Sequence, residues 1–262
     1  MRGIFMDAVV EKKPIAIKRW LPYWAVFQSD VRQTLRSWVY RFWVLLTALV
    51  TVGYLLYSFG IYHEAGIIEL ASLHVSILLR WIVLGSAAII CVLTAGSITS
   101  ERGTMADSVL SRGISRHQYF LGKWHARLTT VLGTFFLLGV LILISAWFLL
   151  HEDLSWHGSL AALATVAVLL GAVVTCGVTV SAIANSTLLG IAVLWSILCA
   201  AGFLLQFLPA HYPSPDRVLQ RLPHILQGDY DLHGLATFAG WSILVSCLVA
   251  LLGMAYFSRR DV

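Results

Sequence analysis

Residues 101–123 read "ERGTMADSVLSRGISRHQYFLGK" and stand between two long stretches with almost no charge. Lys, Arg, Asp and Glu together number 31 in the chain, and this segment holds six of them: Glu101, Arg102, Asp107, Arg112, Arg116 and Lys123. A compact polar segment with its own helix punctuation, framed by apolar runs, is the feature around which the rest of the chain can be laid out.

The flanking composition is that of a membrane protein. Hydrophobic residues make up 59% of the 262 residues, charged residues 12%, and the mean hydropathy is +0.82. Soluble domains carry about 25% charged residues. Only helices or a closed barrel can cross a bilayer, because every backbone N–H and C=O must be paired inside it. The apolar runs are continuous and do not alternate, so helices are expected.

Five segments lack Asp, Glu, Lys and Arg: Phe42 to His63, Trp81 to Ser100, Leu128 to His151, Leu154 to Pro215, and Leu232 to Ser258. A crossing needs about 20 apolar residues. Four runs fit one crossing each. The fourth is long enough for two, and Asn185-Ser186-Thr187 is its polar interruption. The expected fold is an all-α membrane protein of six spans, one domain over residues 1–262.

Basic residues set the expected orientation. Eight precede the first span, five lie between spans two and three, and Arg259 and Arg260 close the chain. The opposite side has Arg80, Arg217 and Arg221. Fifteen against three predicts that both termini and the 101–123 segment are cytoplasmic, in a multi-pass protein of the cell membrane. The sequence pI of about 9.2 then reflects topology, and no nucleic-acid partner is expected. Asp7 interrupts the only early apolar stretch, so a cleavable signal peptide is not expected either.

Ahead of the first span, Trp20, Trp24, Phe27, Val31, Leu35 and Trp38 recur at helical spacing. Gln28, Asp30, Arg32, Gln33 and Arg36 occupy the other face. The region 19–37 reads as an amphipathic helix lying in the membrane interface; packing against a soluble partner is the alternative. The one long loop on the outer side, 209–236, carries a helix start at Ser214-Pro215-Asp216. Val218, Leu222, Ile225 and Leu226 then form one apolar face, expected to lie on the membrane or dip into it.

Within the opening segment, Thr104-x-x-Asp107 has the form of a capping box, and Ser115-x-x-Gln118 is a second. A short helix is expected from about Met105 to Arg112. Gly113 suits its left-handed C′ position, and a second helix should lead through Tyr119, Phe120 and Trp124 into span three. Such a rigid corner suits force transmission or docking. The plainer alternative is an interfacial loop anchored by Tyr119 and Trp124.

These residues resemble the cytoplasmic signature of type-2 ABC transporter permeases, in the branch that includes gliding-motility and copper-enzyme-maturation permeases. The match lies in Glu101-Arg102-Gly103-Thr104, Val109-Leu110-Ser111, Ile114-Ser115-Arg116 and Leu121-Gly122-Lys123. It extends to the amphipathic "elbow" helix, the six spans, the longer outer loop and the closing Phe257-Ser258-Arg259-Arg260-Asp261-Val262. Arg112-Gly113 departs from the usual residue followed by proline, which implies a corner of different stiffness.

The resemblance implies a permease subunit of an ATP-binding cassette exporter. Thr104, Met105, Ala106, Asp107, Ser108, Val109 and Leu110 would form the coupling helix that docks into a separate ATPase. Glu101, Arg102 and Gly103 would lead into it, and Gly113 would end it. Two ATPase subunits and a second permease copy, identical or paralogous, are implied. ATP and Mg²⁺ would be held by the ATPase. The chain itself carries no G-x-x-x-x-G-K-[ST] phosphate loop, so no cofactor and no catalytic residue is expected in it. A membrane scaffold that uses the ATPase for assembly or signalling is the alternative function.

Other chemistry finds little footing. His63-Glu64 and His151-Glu152 lack the second histidine of a zinc-protease motif. Seven of the nine histidines fall near the outer side, without ligand spacing. Cys91, Cys176, Cys199 and Cys247 all lie in spans, with no C-x-x-C pair, and read as packing residues. Arg80 is expected to snorkel to the outer interface. Gly85, Ser86, Gly96, Thr175, Gly177, Thr179 and Ser181 are expected to bring helices close together.

Overall fold

The computed structural model describes residues 20–65, 70–101, 114–149, 153–207 and 214–259. Among them are nine helices: α1 (Leu21–Arg36), α2 (Trp38–Ala65), α3 (Ala71–Thr99), α4 (Arg116–Leu149), α5 (Trp156–Ile183), α6 (Thr187–Gln206), α7 (Pro215–Gln220), α8 (Leu222–Gln227) and α9 (Leu232–Arg259). Six of them, α2 to α6 and α9, are long and apolar enough to cross a membrane. This is an all-helical, multi-pass membrane architecture.

Small local signals start these helices. Ser155, Ser186 and Ser214 cap α5, α6 and α7, each side chain accepting from the N–H three residues on. Asp231 accepts from the N–H groups of His233 and Gly234 at the start of α9. The long apolar run breaks where its polar interruption stands: α5 ends at Ile183, Ala184 turns extended, and Ser186 begins α6. Ser115 and Gln118 make the reciprocal capping box of α4, at 3.2 and 3.3 Å. The first capping box, with residues 102–113, lies outside the described residues.

Three spans begin earlier than a charge-free rule allows. α2 starts at Trp38 and contains Arg41; α3 starts at Ala71 and contains Arg80; α4 starts at Arg116 and contains Lys123 and Arg127. A cation ends a bilayer segment only if it must reach water. Arg80 is partly exposed, and its Nε donates to the Leu219 carbonyl at 2.8 Å, at the end of α7. Lys123 and Arg127 find carboxylates inside the protein.

α5 is the central helix. It packs against α3, α9, α4 and α6, with Leu163, Val166, Leu170, Val174 and Val178 buried. Side chains on α2, α6 and α9 such as Leu45, Leu49, Leu188, Phe203, Leu244 and Leu252 are exposed, forming the apolar girdle that a bilayer would cover. The small residues act as expected at particular contacts. Gly177 sits against the Thr94 side chain and Gly253 against Thr179. Ser181 receives the N–H groups of Ile98 and Thr99, and Ser86 receives the Trp43 indole. Gly85 instead faces open space.

The described part of the long loop, 214–231, folds onto the helices. Its expected single helix is split at Arg221 into α7 and α8. Val218, Leu222, Ile225 and Leu226 are buried, and α8 lies on α5 and α3. Their apolar face meets protein and not lipid, because Ser155 N–H bonds the Leu226 carbonyl and Gly158 leaves room for the α8 backbone. Asp153, at a left-handed φ of 66°, accepts from Ser72 and Gln227 and ties the starts of α3 and α5 to the end of α8.

A Cβ at Gly158 would overlap the Ile225 carbonyl, whereas one at Gly240 meets nothing. Gly158→Ala should therefore destabilise the chain by about 1–3 kcal/mol. Gly240→Ala should be neutral or stabilising. Thermal unfolding of the two variants in one detergent measures the difference.

Candidate functional site

A buried ion cluster holds Glu101, where the polar segment between α3 and α4 begins. At the C-terminal end of α3, Glu101 leaves the helix. Tyr119, Lys123 and Arg127 follow at intervals of four along α4 and so share one face. Asp30 comes from α1. Lys123 Nζ lies 2.9 Å from Asp30 Oδ1 and 2.5 Å from Glu101 Oε1. Arg127 donates to Asp30 Oδ1 at 3.2 Å, and its Nε is 3.0 Å from Oδ2, a charge contact off the hydrogen-bond axis. The Tyr119 hydroxyl donates to Glu101 Oε2 at 2.6 Å.

Among the described residues the cluster sets two carboxylates against two cations, which balance. Its side chains are 1% exposed at Asp30, 4% at Lys123, 9% at Arg127 and 14% at Glu101. Removing ions from water costs several kcal/mol each, repaid only by close partners. Every member here has one.

Local packing explains why α1 can reach this site. Val26, Asp30 and Thr34 form the buried stripe of α1. At Gly122 a Cβ would meet Val26 Cγ1 at 2.9 Å and the Tyr23 carbonyl at 3.3 Å, so glycine allows α1 to lie directly on α4. The Tyr23 hydroxyl is 3.0 Å from His125 Nδ1, and burial pushes the Tyr23 phenol up. Beside them Tyr119 stacks on Phe257, and Arg116 donates to the Ser258 carbonyl, so the end of α9 joins the same floor.

Set against the sequence reading, the amphipathic helix is present with its direction resolved. Trp20, Trp24 and Leu35 are exposed, and Phe27 and Val31 are half-buried. Trp38 is not on α1, because Ser37 turns extended and Trp38 opens α2. Asp30, grouped with the solvated polar face, is buried. Tyr119 and Trp124 are not interfacial anchors: Tyr119 is buried, and the Trp124 indole donates to Thr175. Of the segment residues Glu101, Arg102, Gly103, Thr104, Met105, Ala106, Asp107, Ser108, Val109, Leu110 and Gly113, only Glu101 falls within the described residues. The missed members, Asp30, Lys123 and Arg127, had one available signal. They are charged residues inside or beside helices whose other faces are apolar.

Chemically the cluster is a joint. Its ions pair with one another, although Asp30 Oδ2 and Arg127 Nε meet without a hydrogen bond. Among the described residues no three His, Cys, Asp or Glu side chains converge as metal ligands. The chain matches no protein-family profile, and no characterised protein sequence is significantly similar to it.

Breaking one side of such a cluster strands a buried charge. Asp30→Ala and Lys123→Ala should each cost about 3–5 kcal/mol. The double variant should cost less than their sum by the shared Lys123–Asp30 contact alone, because it still leaves Arg127 without Asp30 and Glu101 without Lys123. Unfolding free energies in mixed micelles test this, and additivity would show that the two residues do not interact.

Proposed function

We propose that the chain is the transmembrane subunit of an ATP-binding cassette exporter of the type-2 permease class, driven by a separate ATPase. The observation that carries the reading beyond sequence resemblance is the mount of the opening segment. Glu101, where the segment leaves α3, is gripped by Lys123 and Tyr119 of α4, and Lys123 is gripped in turn by Asp30 of α1. A loop that merely connects two spans needs no such anchorage.

In this reading Thr104 to Leu110 dock into the ATPase. A displacement of the docked helix cannot dissipate at its root, because Glu101 is fixed to α4. The push passes into the ends of α3 and α4, and through Asp30 into the elbow helix α1. ATP and Mg²⁺ bind the partner, which supplies all phosphate chemistry. A second copy of the chain, or a paralogue, completes the transmembrane pathway. The basic end, with both chain termini, faces the cytoplasm.

The test uses the full chain expressed in its own cells. Asp107→Lys and Gly113→Val should leave insertion and expression unchanged, yet reduce co-purification of the ATPase and the Mg²⁺-dependent ATP hydrolysis of the purified complex by severalfold or more. Undiminished recovery and flux would make the segment a plain linker. In a background without the four native cysteines, His117→Cys should label only from the cytoplasm and Asp229→Cys only from outside. The reverse pattern would overturn the orientation.

A further inference from the structure

We infer that the exposed surface of α1 and the first turn of α2 binds anionic phospholipid headgroups in preference to zwitterionic ones. The inference rests on how the ion cluster divides α1 into three sectors. At about 100° per residue, Val26, Asp30 and Thr34 form the sector turned into the protein, and all three are buried. Trp20, Trp24, Val31 and Leu35 form a second, with Trp20 64%, Trp24 54% and Leu35 43% exposed. Between these, on the side away from the buried stripe, lies a third sector with Ser29, Arg32 and Arg36, all exposed.

The sign of that third sector is decided by the cluster. Asp30 is the only acidic residue of α1, and both its oxygens are engaged by Lys123 and Arg127. With Asp30 turned inward, Arg32 and Arg36 of α1, and Arg41 five residues further on in the first turn of α2, are exposed cations with no acid on α1 or the first turn of α2 beside them among the described residues. None of the three has an ion-pair partner among the described residues. Glu64, the only other acid in 20–65, lies at the opposite end of α2.

An apolar aromatic sector beside a cationic one matches a bilayer surface. Tryptophans enter at the headgroup level while arginines stay beside the phosphates. Near an anionic surface each arginine is worth about 1 kcal/mol, or about fivefold in affinity, and the attraction is screened by salt. A soluble protein partner would also cover the tryptophans, but would shield them from lipid.

Quenching of tryptophan fluorescence by brominated lipids in nanodiscs separates these occupants. The full chain is compared with Trp20→Phe/Trp24→Phe, and the difference reports α1. In the wild type, brominated phosphatidylglycerol should quench that fraction at a mole fraction severalfold lower than brominated phosphatidylcholine. High salt should narrow the gap. Arg32→Gln/Arg36→Gln/Arg41→Gln should abolish it while leaving quenching by phosphatidylcholine intact. Equal quenching by the two lipids, a preference that survives the triple variant, or no quenching by either would overturn the inference. No ATPase takes part in the measurement, so its result is independent of the transporter reading.

Discussion

An ammonium group withdrawn from water at the edge of a membrane-spanning helix must be met by carboxylates. Lys123 is that group here, and its two partners come from different parts of the chain: Asp30 lies 93 residues before it, Glu101 22 residues before it. Satisfying this one charge joins α1, the end of α3 and the start of α4. Arg127 completes the charge balance among the described residues that makes burial tolerable. Gly122, next to Lys123 in sequence, removes the side chain that would otherwise hold α1 away. Once Asp30 points inward, the rotation of α1 is settled. Its tryptophans face outward and its arginines lie alongside them.

The opposite end is held by a different economy. A single carboxylate, Asp153, accepts from a hydroxyl, a backbone N–H and an amide, and the rest is backbone contact over Gly158. Arg80 serves a carbonyl and no acid. Hydrogen bonds to charged groups contribute about 1.5–3 kcal/mol each, so Asp153 and Arg80 are charge-assisted anchors in their own right.

The same burial links the two proposals without making either depend on the other. The cluster anchors the root of the opening segment from within. By hiding the only acid of α1, it also leaves a cationic and aromatic outer surface. Docking of an ATPase would use residues beyond Glu101, whereas lipid binding would use residues on the far side of Asp30.

Element type and number were legible from sequence because the bilayer imposes a length. A run of about 20 apolar residues can hardly do anything but cross, and the Ser186 and Ser115 starts are local chemistry. The exposed stripe of α1 was readable for the same reason, since helical periodicity depends only on neighbours three and four residues apart. What sequence alone could not determine was the partner of each charge. Arg80, Lys123 and Arg127 read as boundary markers, yet they lie within helices. Asp30 reads as solvated, yet it is the most enclosed charge described. The apolar face of α7 and α8 was expected to meet the membrane, and it packs on protein instead. Those outcomes belong to the tertiary structure, because a charge or an apolar face is satisfied by whatever the fold brings beside it, and here that neighbour is often some 70 or more residues away in the chain.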